Sequence, residues 1–126
     1  MPLVRISLGQ GKSPAYHAAV GESVHRALVE TIGIPPDDRF QIITAHAPGD
    51  LVFDPGYLGI ARTPDLVMVQ ITLSAGRPVE KKLALFARIA ERLAGSPGVR
   101  KEDVFVCLVE VAKENWSFGN GIAQYA

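Results

Sequence analysis

The chain carries one cysteine, Cys107, in 126 residues. An internal disulfide is excluded, and a lone thiol suits a reducing compartment. Net charge is missing too, because 13 Lys and Arg balance 13 Asp and Glu. No overall field draws the chain to nucleic acid or to an anionic membrane, so neither is an expected partner. No apolar run approaches the ~20 residues that cross a bilayer, and no secretory pattern opens the sequence. A cytoplasmic location is the expectation. Aromatic residues are scarce at 7 %, with a single tryptophan, Trp116. What is there is a globular composition, 48 % hydrophobic and 21 % charged, with a mean hydropathy of +0.17. The length fits one domain spanning 1–126.

The chain is written twice. Val4–Leu8 (VRISL) is a β-branched run broken by Gly9–Lys12 (GQGK). Ser13-Pro14 reads as a cap with proline in the first helical turn. Tyr16, Ala19, Val20, Ser23, Val24, Ala27 and Leu28 then form the stripe of an amphipathic helix that Gly33 stops. Phe40–Ala45 (FQIITA) is the second strand. Shifted by 65 residues the score recurs: strand Met68–Leu73, break Ser74–Arg77, a helix from Pro78, and strand Val104–Val109. The expected apolar face of this second helix is Leu83, Phe86, Ile89, Ala90 and Leu93. Ile6 meets Ile71, Lys12 meets Arg77, Leu28 meets Leu93 and Asp38 meets Asp103 in that register. Two β-α-β units follow, each long enough for a right-handed crossover between parallel strands.

The fold class is therefore α/β (α+β), a four-stranded sheet with both helices on one face. Repeat one covers about 2–45 and repeat two about 67–112, joined by a loop over 46–66 and followed by a C-terminal segment, 113–126. The uncovered sheet face, with Ile42-Ile43 and Val106–Val109 on its closing strands, predicts self-association. Cys107, the mate of Ile42, is expected to be a small buried hydrophobe. His46–Pro64 is too long for a bare turn. A short strand is expected at Leu51–Phe53, and the loop suits a functional role or subunit contacts.

Pro2 poses its own question. Proline cannot donate to a sheet ladder and is tolerated at a strand's first residue. It also follows an initiator methionine that is readily trimmed before a small residue, which would leave a secondary amine at the head of the chain. Its mate in the second half, Val67, is mid-chain and has no amine, so there is one such base per chain.

The Met1-Pro2 start, the doubled β-α-β, Arg77 at the second strand-to-helix break and Glu114–Gly121 (ENWSFGNG) together resemble the tautomerase superfamily. The likeness is to its long-chain branch, which contains malonate semialdehyde decarboxylase. It covers essentially the whole chain, with Asp38–Gln41, His46–Gly49 and Asn115–Gly119 in the order that family shows. The resemblance implies a tautomerase-like fold, a homotrimer, no cofactor and a small carboxylate substrate. It implies catalytic roles for Pro2, Arg77 and Asp38, and substrate contacts from Trp116, Phe118 and His46.

The chemistry of those residues is coherent. An α-amine titrates near 7.7–8.0. Burial and a nearby guanidinium both disfavour the ammonium, so a housed proline amine becomes a general base near neutral pH. The planar fork of Arg77 suits a carboxylate or an enolate oxygen. Lys12, its repeat mate, is either a weaker carboxylate contact or a surface lysine, and the surface reading is preferred. Asp38 either tunes charge beside the proline or serves as a turn residue before its strand, as Asp103 would. Trp116 and Phe118 supply a dry wall, an oligomer contact, or both. His17 and His25 do not share a helix face at ligand spacing, so no metal site is expected. Gly9–Lys12 lacks the spacing of a phosphate loop.

The decarboxylase pattern has two arginines in the second break, whereas Ala75 stands where the first would fall. The expected function is thus keto–enol tautomerisation of a 2-oxo acid. Alternatives are a decarboxylase or hydratase with Pro2 as general acid, and a non-catalytic trimeric binding module.

Overall fold

A computed structural model describes all residues, 1–126. Its strands are β1 (Leu3–Gly9), β2 (Phe40–His46), β3 (Val67–Ser74) and β4 (Val104–Val111), with helices α1 (Pro14–Ile32) and α2 (Val79–Gly95). The sheet order is β2-β1-β3-β4. Each repeat closes a parallel pair, Leu3 opposite Phe40 in one and Val67 opposite Val104 in the other. The repeats meet where β1 and β3 run antiparallel, Leu3 opposite Thr72. The fold is thus the expected four-stranded α+β sheet built from two β-α-β units.

Local signals explain the helix ends. The Ser13 side chain accepts from the Tyr16 N–H at 3.1 Å, and Pro14 opens α1 where a missing N–H costs nothing. Gly33 ends it at φ +77°, a left-handed cap whose N–H donates to the Leu28 carbonyl. Both helices lie against the same alternate positions of the central strands. Val4, Ile6 and Leu8 of β1 and Val67, Val69, Ile71 and Leu73 of β3 are buried there, with Val24, Leu28, Leu85, Ile89 and Leu93 above them. Each large side chain buried this way contributes roughly 1.5–3 kcal/mol, so this layer dominates the stability.

The phase of α2 differs from expectation. Leu85, Ile89 and Leu93 face the core, Phe86 and Ala90 are half-buried, and Leu83 is 59 % exposed. Spacings of four carry the buried face back from Leu93 through Ile89 to Leu85, which leaves Leu83 two residues out of phase. The segment Leu51–Phe53 forms no strand; its surroundings are irregular, with one short 3₁₀ turn at Tyr57–Gly59. The connection is instead tied down by Asp103, 1 % exposed, whose carboxylate accepts from the Thr63 N–H at 2.7 Å and the Thr63 hydroxyl at 2.6 Å.

The other sheet face is open and mixed. Strand registers align Phe40, Leu3, Thr72 and Val109 in one row across it, and Ile42, Arg5, Gln70 and Cys107 in the next. Apart from Leu3, the middle strands present polar residues in these rows, and the outer strands carry the apolar side chains and Cys107. Cys107 is exposed on this face, contrary to the expectation of burial. Alternation along β4 turns it away from the helices while Val106 and Leu108 pack against the core. No helix is long and apolar enough to cross a membrane.

Candidate active site

The head of the chain lies at the junction of the repeats. Continuing the β1–β3 register by two residues sets Pro2 beside Leu73 and Met1 beside Ser74. Pro2 is buried. The Ser74 hydroxyl donates to the Met1 sulfur at 3.2 Å. Asp38 arrives from the turn before β2, whose first residue pairs with Leu3, and its carboxylate contacts the Met1 amine. Arg77 follows Gly76, which takes φ +117°, a conformation that favours glycine. Its guanidinium turns back and donates to the Ser74 carbonyl at 2.9 Å. Burial and then the Arg77 charge lower the Met1 amine from 8.0 to about 6. Burial and the guanidinium thus make the Met1 amine less basic than a free one, while the Asp38 carboxylate in contact with it favours the charged form.

An aromatic wall dries one side. A cavity of about 230 Å³ is lined by Pro2, Leu3, Phe40, Trp116, Ser117 and Phe118. Trp116 and Phe118 stack with centroids 5.5 Å apart, and Phe40 lies 6.0 Å from Phe118. Tyr125 packs nearly perpendicular to Phe118, with centroids 5.3 Å apart. Trp116 Nε1 donates to Ser74 Oγ at 3.1 Å, so the wall and Arg77 are both pinned to one residue.

Pro2, Asp38, Arg77, Trp116 and Phe118 thus gather at one end of the sheet. His46 does not. It pairs with Gly9 at the far end of the parallel β1–β2 ladder, six residues or roughly 20 Å along the strand from the Phe40–Leu3 pair. It lines a separate cavity with Gln10, Pro48, Leu51 and Phe53, and its Nε2 is buried without a partner. A substrate contact from His46 at this chain's own Pro2 is ruled out by that placement. Ser74 and Phe40 belong to the site and escaped the sequence reading. Glu110 also lies near it, opposite Leu73; hydrogen bonding to Lys82, 2.8 Å away, and the neighbouring Gly76 N–H and Arg77 hold its carboxyl below the usual range. No three His, Cys, Asp or Glu side chains converge as a metal-holding group. A larger cavity of about 360 Å³ beside α1 includes Glu22, Arg26, Glu30, Arg39 and Arg92, whose charges are paired with one another.

The second repeat repeats the frame but not the chemistry. Chain continuity replaces the amine, with Leu66 and Val67 in the places of Met1 and Pro2. Lys12, in the place of Arg77, pairs with Asp65 at 2.9 Å. Asp103, in the place of Asp38, is consumed by Thr63. One half presents an amine and an aromatic wall, whereas in the other the connection residues Thr63 and Asp65 pair with Asp103 and Lys12.

This fold, with a buried chain head between a guanidinium and an aromatic wall, defines a tautomerase-type site, and the chain belongs to the tautomerase family. Two family models, both described as tautomerase enzyme, match residues 38–119 and 2–60. The chain is 41 % identical over 124 residues to probable tautomerase YusQ of Bacillus subtilis (strain 168), covering 98 % of each chain. It is 35 % identical to probable tautomerase YrdN of the same organism, over 99 % of this chain and 96 % of that one. Among solved structures it is similar to FG41 malonate semialdehyde decarboxylase inhibited by 3-bromopropiolate. That structure shows 45 % identity and a TM-score of 0.92, with 98 % of this chain and 93 % of the other covered. A fused 4-OT solved as a symmetric trimer is 30 % identical with a TM-score of 0.78, over 96 % and 94 % of the chains.

Proposed function

We propose that the chain is a cofactor-independent tautomerase acting on the enol or keto form of a 2-oxo acid, with Pro2 as the proton carrier once Met1 is removed. The single observation that carries this reading is the placement of the chain head, with Pro2 buried at the end of the β1–β3 ladder against an aromatic wall and Arg77 held at the neighbouring Ser74. Loss of Met1 moves the free amine one residue inward, to the buried Pro2. The neutral nitrogen takes the proton from the enol hydroxyl and returns one to the adjacent carbon, leaving the catalyst unchanged. Arg77 grips the substrate carboxylate and Trp116 and Phe118 exclude water. The whole chain, 1–126, acts as one domain. The open sheet face supports assembly into a homo-oligomer, and the trimeric fused 4-OT favours three copies.

The test is turnover of enol 2-oxo acids by protein whose amino terminus is verified by mass spectrometry. Pro2→Ala should lower kcat/KM at least about tenfold; an undiminished rate would overturn the mechanism.

A second reading has its own support. The Asp38 carboxylate touches the amine, which favours the ammonium form, and a malonate semialdehyde decarboxylase is 45 % identical. In that reading protonated Pro2 polarises a 3-oxo acid for loss of carbon dioxide. Carbon dioxide release from a 3-oxo acid, abolished by Asp38→Asn, would decide for it.

A further inference from the structure

Ser74 touches three parts of this site: Arg77, Trp116 and the chain head. It is 2 % exposed at the last position of β3. Its carbonyl accepts from Arg77, its hydroxyl oxygen accepts from the Trp116 indole at 3.1 Å, and its hydroxyl hydrogen is directed to the Met1 sulfur. A thioether is a weak acceptor, so this buried hydroxyl spends its proton on a poor partner. Removal of Met1 takes away the sulfur and frees the hydroxyl of a residue whose carbonyl already accepts from Arg77. We propose that the Ser74 hydroxyl is the second donor to the substrate carboxylate, working with Arg77 where Ala75 supplies no second guanidinium. The proposal rests on the tautomerase reading above for the identity of its substrate.

The donor chain is chemically consistent. Trp116 Nε1–H donates to Ser74 Oγ, which polarises the O–H toward an anionic acceptor. A hydroxyl donating to a carboxylate makes a charge-assisted bond, stronger than the bond to sulfur it replaces. Arg77 is held by the carbonyl of the same residue, so the two donors move as a unit. The carboxylate is present before and after proton transfer, so the interaction adds to binding and not selectively to the transition state. The expected signature is a KM effect.

The experiment uses the full chain lacking Met1, in parent, Ser74→Ala and Ser74→Thr forms, with an enol 2-oxo acid and its methyl ester. Ser74→Ala should raise KM for the acid about tenfold with kcat within about threefold, and raise KM for the ester several-fold less. Ser74→Thr, which keeps the hydroxyl, should restore KM. An unaltered KM in Ser74→Ala, or an equal loss on the ester, overturns the proposal. Trp116 is the only tryptophan, so a single indole N–H resonance reports on the site without turnover. If the parent fails to turn over any enol acid, the tautomerase reading falls, and pyruvate titrated against that resonance still decides the role of Ser74. Binding about tenfold weaker in Ser74→Ala supports it; equal binding, or none in the parent, overturns it.

Discussion

Replacing Arg77 with glutamine separates the two jobs assigned to it, tuning the amine and holding the carboxylate. Burial is the larger cause of the Met1 amine's drop from 8.0 to about 6, and Arg77 the next, and both causes act on the Pro2 amine that trimming frees. Loss of Arg77 should therefore raise the amine pKa. At pH 7 an amine titrating near 6 is about 90 % neutral, against about 9 % for one titrating at 8, so the loss of competent base in Arg77→Gln stays below about tenfold. At pH 8.5 that loss is nearly gone, because both amines are then mostly deprotonated. A charge-assisted bond to the substrate, at ~1.5–3 kcal/mol, predicts a residual deficit of about 10–100-fold in kcat/KM. The assay is a pH–rate profile of kcat/KM from pH 5 to 9 with an enol 2-oxo acid. An acidic limb that stays put or moves down in Arg77→Gln would refute the electrostatic reasoning. Recovery of full activity at pH 8.5 would refute the carboxylate grip.

The remaining predictions use the same geometry. Asp38→Asn removes the carboxylate beside the amine and should move the acidic limb downward, opposite to Arg77→Gln; this is read in the same profile. With Met1 retained, the folded amine binds fewer protons than the unfolded one between about pH 6 and 8, so stability should rise with pH across that window, as urea midpoints would report. Leu85→Ala empties a fully buried position and should cost about 2–5 kcal/mol in urea unfolding, while Leu83→Ala, 59 % exposed, should cost well under that. Asp103→Ala strands the Thr63 N–H and hydroxyl and should cost about 1–3 kcal/mol, with faster hydrogen exchange at the Thr63 and Asp65 amides, both bonded in this anchor.

Much of the fold was legible because the duplication wrote each signal twice. The 65-residue register of Ile6 with Ile71 and Leu28 with Leu93, the Ser13-Pro14 cap and the Gly33 stop are local facts, and local facts survive in a sequence. The phase of α2 was harder, because Leu83 and Leu85 both suit an apolar stripe and only packing against the sheet selects Leu85. Cys107 sits in a strand whose neighbours are all apolar, so its outward direction had no local mark. At the site, Pro2 and Arg77 stand out by residue type and position. Asp38 and its mate Asp103 carry the same local signal, yet one contacts the chain-head amine and the other anchors the loop. His46 lies far from this chain's own Pro2 because a parallel ladder sends the end of β2 away from the start of β1. Ser74 carried no signal at all, since its value comes from three contacts made across the fold by Arg77, Trp116 and the chain head.

The central claim is that the catalytic nitrogen is the freed amine of Pro2. The same chain should be assayed in two forms of mass-verified amino terminus, one keeping Met1 and one lacking it, against the same enol 2-oxo acid. Turnover is expected from the trimmed form and none above background from the form in which Pro2 is an amide. Equal turnover from both would contradict it.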